Sequence, residues 1–222
     1  MFPEAVIFDL DGTLIDNNAY HIKAFESFYD KIGKPFSVEE YKQHINGRMN
    51  RDIFNYVFNT TLSPEKIEEY SDEKEAMYRE LYKAHIKPIN GLINFLEELE
   101  KAKIPKAIAT SGLVPNINFM FEHVPIKNYF FSVIDSTQIT HGKPHPEIFL
   151  KAAISVNAVP SNCVAFEDSV AGIKSAKAAG MKVVGLTTTH AAEDIKDADL
   201  IIKDYTEISL TQLRKLAGLV NR

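Results

Sequence analysis

The chain has 222 residues, 45% hydrophobic and 25% charged, with a formal charge of −5 and a pI near 5.8. This is the composition of a soluble globular protein long enough to bury a substantial core. It excludes a basic nucleic-acid surface, and no run approaches the ~20 apolar residues of a membrane span. The single cysteine, Cys163, rules out an internal disulfide; in the apolar run Cys163–Phe166 it reads as a buried structural thiol in a reducing compartment. No basic segment followed by a long apolar stretch opens the chain, so a cytoplasmic protein, expected to be a monomer, is the reading.

Ala5–Phe8 is a short apolar run ending abruptly in Asp9, the pattern of a fully buried strand. The runs 107–109, 131–134, 164–166, 183–186 and 200–202 read the same way. Helical patterns lie between them at 91–102, 115–123, 146–156 and 170–179, the last closed by Gly180. Strands alternating with helices predict an α/β fold, a Rossmann-like parallel sheet flanked by helices. The interval 17–87 breaks that rhythm with four helical patterns and no buried strand. One spans 18–32, one opens at the capping box Ser37-Val38-Glu39-Glu40, one covers 50–59, and one runs from Ser63-Pro64 to about 84. The expected division is a catalytic core of 1–16 and 88–222 with an inserted helical cap of 17–87. An insertion after the first strand stands above the carboxyl ends of the strands, where open α/β sheets bind ligands.

Asp9 and Asp11, two residues apart at a strand end, share a face and would point into one crevice, with Gly12 allowing a sharp exit. Alone, the pair is equally a strand-terminating acidic turn. It is joined by Thr110-Ser111-Gly112 after the second strand, Lys143 in Gly142-Lys143-Pro144, and Glu167-Asp168 after the run ending at Phe166. Taken singly, Thr110 is an ordinary strand-end hydroxyl and Lys143 a solvated loop lysine. Polar residues suited to phosphate or metal at four separate places are not explained by turn composition.

In Asp9-Leu10-Asp11-Gly12-Thr13, Thr110, Gly142-Lys143-Pro144-His145-Pro146 and Phe166-Glu167-Asp168-Ser169 with Ala171-Gly172-Ile173, the chain resembles the haloacid dehalogenase-like hydrolases. It is most similar to the subgroup of sugar-phosphate phosphatases and β-phosphoglucomutase, over almost its whole length. The resemblance implies Asp9 as nucleophile, forming an aspartyl-phosphate, and Asp11 as general acid and base with a raised pKa. It implies Mg2+ held by Asp9, the Asp11 carbonyl and Asp168, with Glu167 orienting a metal-bound water. Thr110 and Ser111 would bind phosphoryl oxygens; Lys143 would neutralise them and keep Asp9 ionised.

His21, Arg48 and Lys74 are the cap residues expected to contact substrate. His21 shares a helical face with Phe25, Phe28 and Ile32, so a satisfied buried histidine is the rival reading. Lys74 lies between Glu73 and Glu75, where a surface ion pair is the rival. Arg48 beside Gly47 could hold a second anionic group. In the mutase the corresponding arginine lies a few residues after the glycine, a place that Arg51 would fill only with a shift in register. The chain therefore reads as a Mg2+-dependent phosphatase for a small phosphorylated metabolite, a sugar phosphate first. A hexose-phosphate mutase is the alternative, with inorganic pyrophosphatase and a phospho-accepting regulatory module behind it.

Overall fold

The computed structural model describes residues 2–218. The sheet is built from β1 (Ala5–Phe8), β2 (Lys106–Ala109), β3 (Ser132–Ile134), β4 (Cys163–Glu167), β5 (Lys182–Leu186) and β6 (Leu200–Ile202). All neighbours pair in parallel, in the order β3-β2-β1-β4-β5-β6. The chain starts in the middle of the sheet, builds outwards through β2 and β3, then returns to the other side of β1. That reversal between β1 and β4 opens a crevice at the strands' carboxyl ends.

Strand β1 is wholly buried, and its alternating side chains serve two cores. Val6 and Phe8 pack with Leu92, Phe95 and Leu99 of α5 (Leu92–Lys101) and Met120 of α6 (Val114–His123). Ala5 and Ile7 pack with Phe149 and Ala152 of α7 (Glu147–Ser155) and Ile173 and Ala176 of α8 (Val170–Ala178). Burying each large side chain contributes about 1.5–3 kcal/mol. Cys163 belongs to the second core; burial pushes its thiol up to about 12, as suits an inert structural cysteine.

Between β1 and α5 stand four helices: α1 (Asn18–Lys31), α2 (Val38–Glu40, continuing as a π turn over Tyr41–Ile45), α3 (Asn50–Phe58) and α4 (Pro64–Tyr82). Phe25, Phe28, Tyr41, Ile45, Ile53 and Phe54 form a third core there, separate from the sheet's two. Ser63 caps α4 with proline at its start, as the sequence predicts. The box at Ser37 is only half formed. Ser37 accepts from the Glu40 N–H, while the Glu40 carboxylate is taken by the Tyr29 hydroxyl at 3.3 Å. Phe131 falls outside β3 and is 74% exposed. A short last helix, α9 (Leu210–Leu216), is an element the periodicity does not predict. No described helix is long and apolar enough to cross a membrane.

Candidate active site

Asp9 continues β1 and donates its N–H to the Phe166 carbonyl of β4 at 3.0 Å, which sets it level with Glu167. Lys143 reaches in from the loop before α7. Its Nζ lies 2.6 Å from Asp9 Oδ1 and 2.5 Å from Glu167 Oε1, above the Phe149 ring. The carboxylates of Asp9, Glu167 and Asp168 lie within 4.8 Å of one another, all buried. Three carboxylates against one ammonium leave excess negative charge in a dry place. Burial accordingly pushes Asp9 up to about 8, with Glu167 and Asp11 adding to the rise and Lys143 opposing it. Asp168 is raised well above the carboxylate range by burial, then by Glu167 and Asp9. Lys143 favours the ionised form of Asp9, in the direction expected of it, but desolvation is the larger influence here. A divalent cation fits this surplus of hard oxygen donors and would lower both pKa values.

Glu167 is committed to the protein. Besides Lys143 it accepts from the N–H groups of Asp168 and Ser169, at 2.9 and 2.8 Å, and from the Ser169 hydroxyl at 3.0 Å. Gly172 makes this possible, because a Cβ there would stand 1.7 Å from Glu167 Oε1. Gly12, at φ +71°, is needed twice over: a Cβ would also meet Asp168 Oδ2 at 2.2 Å. Asp168 accepts from Asn18 Nδ2 at 3.2 Å and from the Thr189 hydroxyl, and more weakly from Thr13 Oγ1 at 3.4 Å.

Asp9, Asp11, Thr110, Ser111 and Asp168 from the sheet end, and His21, Arg48 and Lys74 from the helical unit, line one pocket. Asn17 donates to Asp11 Oδ1 at 2.5 Å, and His21 Nε2 lies 3.6 Å from the same oxygen. Burial raises the Asp11 carboxyl, but hydrogen bonds and charge from His21 and Asn17 outweigh it, and the net shift is downward. The raised value expected of a general acid is absent without a phosphate beside it. Thr110 is buried, its Oγ1 accepting from the Gly112 N–H at 2.9 Å. The Ser111 hydroxyl donates to the Gly47 carbonyl of the helical unit at 3.0 Å, so only its backbone is left for a ligand.

His21 is both buried and in the site. Its ring stacks on Tyr78 at 3.8 Å. Lys74 Nζ, which can only donate, lies 3.3 Å from His21 Nδ1. Lys74 is 2% exposed rather than on the surface, paired with Glu75 at 2.6 Å. Arg48 lines the pocket and makes no side-chain hydrogen bond or ion pair among the described residues. Arg51 turns away and donates to the Thr140 carbonyl at 2.9 Å. Sequence reasoning missed Asn17, Asn18, Glu75 and Asn116. The adjacent asparagines at the start of α1 read as ordinary helix-start residues, yet Asn17 makes no cap bond and turns to Asp11 instead.

Residues 6–186 match the family described as "Haloacid dehalogenase-like hydrolase". A Thermotoga maritima phosphorylated carbohydrates phosphatase is 30% identical, the alignment covering 87% of this chain and 88% of that one. The β-phosphoglucomutase of Bacillus subtilis is 28% identical over 96% of this chain and 94% of its own. Among solved structures, a family IA, variant 3 hydrolase from Entamoeba histolytica superposes with a TM-score of 0.86 at 33% identity, covering 96% and 99% of the two chains.

Proposed function

The chain belongs to the haloacid dehalogenase-like hydrolases, and from that premise we propose that this enzyme is a Mg2+-dependent phosphatase acting on a small sugar phosphate through an aspartyl-phosphate. One observation carries the reading: Asp9, 2.6 Å from Lys143, shares a single pocket with Asp11 and Thr110. An Asp9 oxygen bonds to phosphorus as the bond to the leaving oxygen breaks, and Asp11 gives that oxygen its proton. Asp11 then takes a proton from water, whose oxygen displaces Asp9 from phosphorus. A bound phosphate dianion beside Asp11 would raise its pKa towards that task. Thr110, the Ser111 backbone and Lys143 are assigned to the phosphoryl oxygens. Asp9, Asp168 and the Asp11 carbonyl would hold Mg2+, which when bound supplies positive charge to the phosphoryl group.

Residues 17–87 are assigned as a cap over a core of 1–16 and 88–222, of which 1 and 219–222 lie outside the described residues. A monomer is assigned with it, and the buried free Cys163 supports a cytoplasmic setting. The mutase reading is kept by Arg48, a guanidinium without a partner among the described residues and able to hold a second phosphate; the outward turn of Arg51 counts against it. Phosphate release from a panel of sugar phosphates, with inorganic pyrophosphate included, tests the proposal. Asp9→Asn should lower turnover by roughly 10⁴-fold or more on every substrate. Conversion of β-glucose 1-phosphate to glucose 6-phosphate without net release would replace phosphatase by mutase.

A further inference from the structure

Beyond Asp9, Asp11 and Asp168 at the sheet end, the wall of the pocket holds a further group of the wrong sign for an anionic ligand. Glu75 lies on α4 beside Lys74 and is 5% exposed. Its Oε1 accepts from Lys74 Nζ at 2.6 Å and Asn50 Nδ2 at 3.1 Å; its Oε2 accepts from Asn116 Nδ2 of α6 at 2.8 Å. Asn116 is held in turn by Arg79 Nη1 at 2.7 Å. Glu75 thus does more than neutralise its neighbour, because its second oxygen reaches across from cap to core. All of Asn50, Lys74, Glu75 and Asn116 line the pocket that holds Asp9 and Asp11.

We propose that Glu75 determines specificity: its carboxylate, fixed across the leaving-group end of the pocket, admits a leaving group carrying hydroxyl donors and rejects one carrying a second phosphate. This deepens the phosphatase reading and rests on it. An ionised carboxylate offers about four acceptor positions, and three are used by Lys74, Asn50 and Asn116, so one remains for a substrate hydroxyl. The cation nearest it, Lys74, is already paired, and the Ser111 hydroxyl is committed to Gly47. Arg48 is shared with a neighbouring cavity lined by Lys42, Lys174 and His190, so it faces two spaces rather than opposing Glu75 alone. A second phosphate would sit against a buried like charge, the repulsive element by which a site excludes a competitor.

The test compares kcat/KM for hexose 6-phosphate and for the matching 1,6-bisphosphate, with p-nitrophenyl phosphate as a substrate that lacks hydroxyls. The wild type should favour the monophosphate by roughly 100-fold. Glu75→Gln should lower that ratio by about tenfold or more, through KM for the bisphosphate, while Glu75→Asp, which keeps the charge, should preserve it. The ratio does not depend on the fraction of folded enzyme, so partial misfolding cannot imitate the result. A wild type that accepts both substrates equally, or a ratio unchanged in Glu75→Gln, overturns the proposal while p-nitrophenyl phosphate hydrolysis upholds the phosphatase. No phosphate release from any of the three substrates by the wild type with Mg2+ overturns both.

Discussion

The ammonium of Lys143 and the carboxylate of Asp9, on segments 134 residues apart in sequence, meet at 2.6 Å in a buried ion pair. The same ammonium holds Glu167, so it alone stands between two carboxylates that would otherwise face each other. Removing one partner of a buried pair costs more than the pair contributes, because the remaining charge is stranded. Lys143→Ala should therefore destabilise the metal-free protein by about 3–5 kcal/mol, as well as suppress turnover. Urea unfolding of both proteins in chelator measures the difference; a loss within the error of extrapolation would show that the carboxylates simply protonate.

The charge surplus has a second consequence. Asp9 and Asp168 are both raised by burial, so their ionised forms are unstable without a further cation. A ligand that binds only the folded state stabilises it by about 2.7 kcal/mol at a hundred times its dissociation constant. Mg2+ should thus raise the melting temperature by several degrees, and Asp168→Asn should abolish most of that response. Equal concentrations of a monovalent salt supply the comparison, and an identical rise with both would remove the argument for a divalent site.

How much of this could be read from the residues depends on where each partner lies. Asp9, Asp11 and Asp168 were legible because a charge at the end of an apolar strand is locally anomalous, and Lys143 through its setting in Gly142-Lys143-Pro144. Their convergence follows from a parallel sheet, which puts every strand's carboxyl end on one edge. Lys74 and Glu75 were not legible in the same way. Between Glu73 and Ala76 they look like a solvated helix face, and it is His21 and Phe25 packing on Lys74, with Asn50 and Asn116 on Glu75, that cover them. The half-formed box at Ser37 has a similar cause, since Tyr29 on α1 competes for Glu40 across a tertiary contact. Local pattern marks the strands and the strand-end chemistry; it is silent on pairings made between distant helices.

Gly172 gives a test of packing free of any titration. A methyl group there would overlap Glu167 Oε1 at 1.7 Å, whereas Gly180, which closes α8 at φ +84°, has nothing within 4 Å of such a group. Gly172→Ala must push Glu167 off Lys143 or shift α8, and overpacking of this kind costs about 1–3 kcal/mol or more. Gly180→Ala should cost only the strain of a left-handed alanine, about 1 kcal/mol. The two variants should also part in activity, with Gly172→Ala strongly impaired and Gly180→Ala near wild type. Equal activities in a phosphate-release assay would mean that Glu167 can move without disturbing Asp9.

Glu75 couples the contact between α4 and α6 to pH. Burial alone would raise its carboxyl, but Lys74 and His21, with the Lys74 and Asn116 hydrogen bonds, bring it down to about 2 from 4.5. A depressed folded-state value stabilises the fold at pH above the unfolded value, and that stabilisation is lost as pH falls through 4.5 towards 2. A shift of that size corresponds to roughly 3 kcal/mol when fully expressed. Since the carboxylate ties α4 to Asn116 on α6, acid should loosen the contact between these two helices before the sheet unfolds. Between pH 5 and 3 the wild type should lose stability more steeply than Glu75→Gln, by about 2 kcal/mol over the interval. Hydrogen exchange in α4 and α6 locates the loss. Parallel stability curves for the two proteins would mean that Glu75 is ionised no more readily in the folded protein than in the unfolded chain.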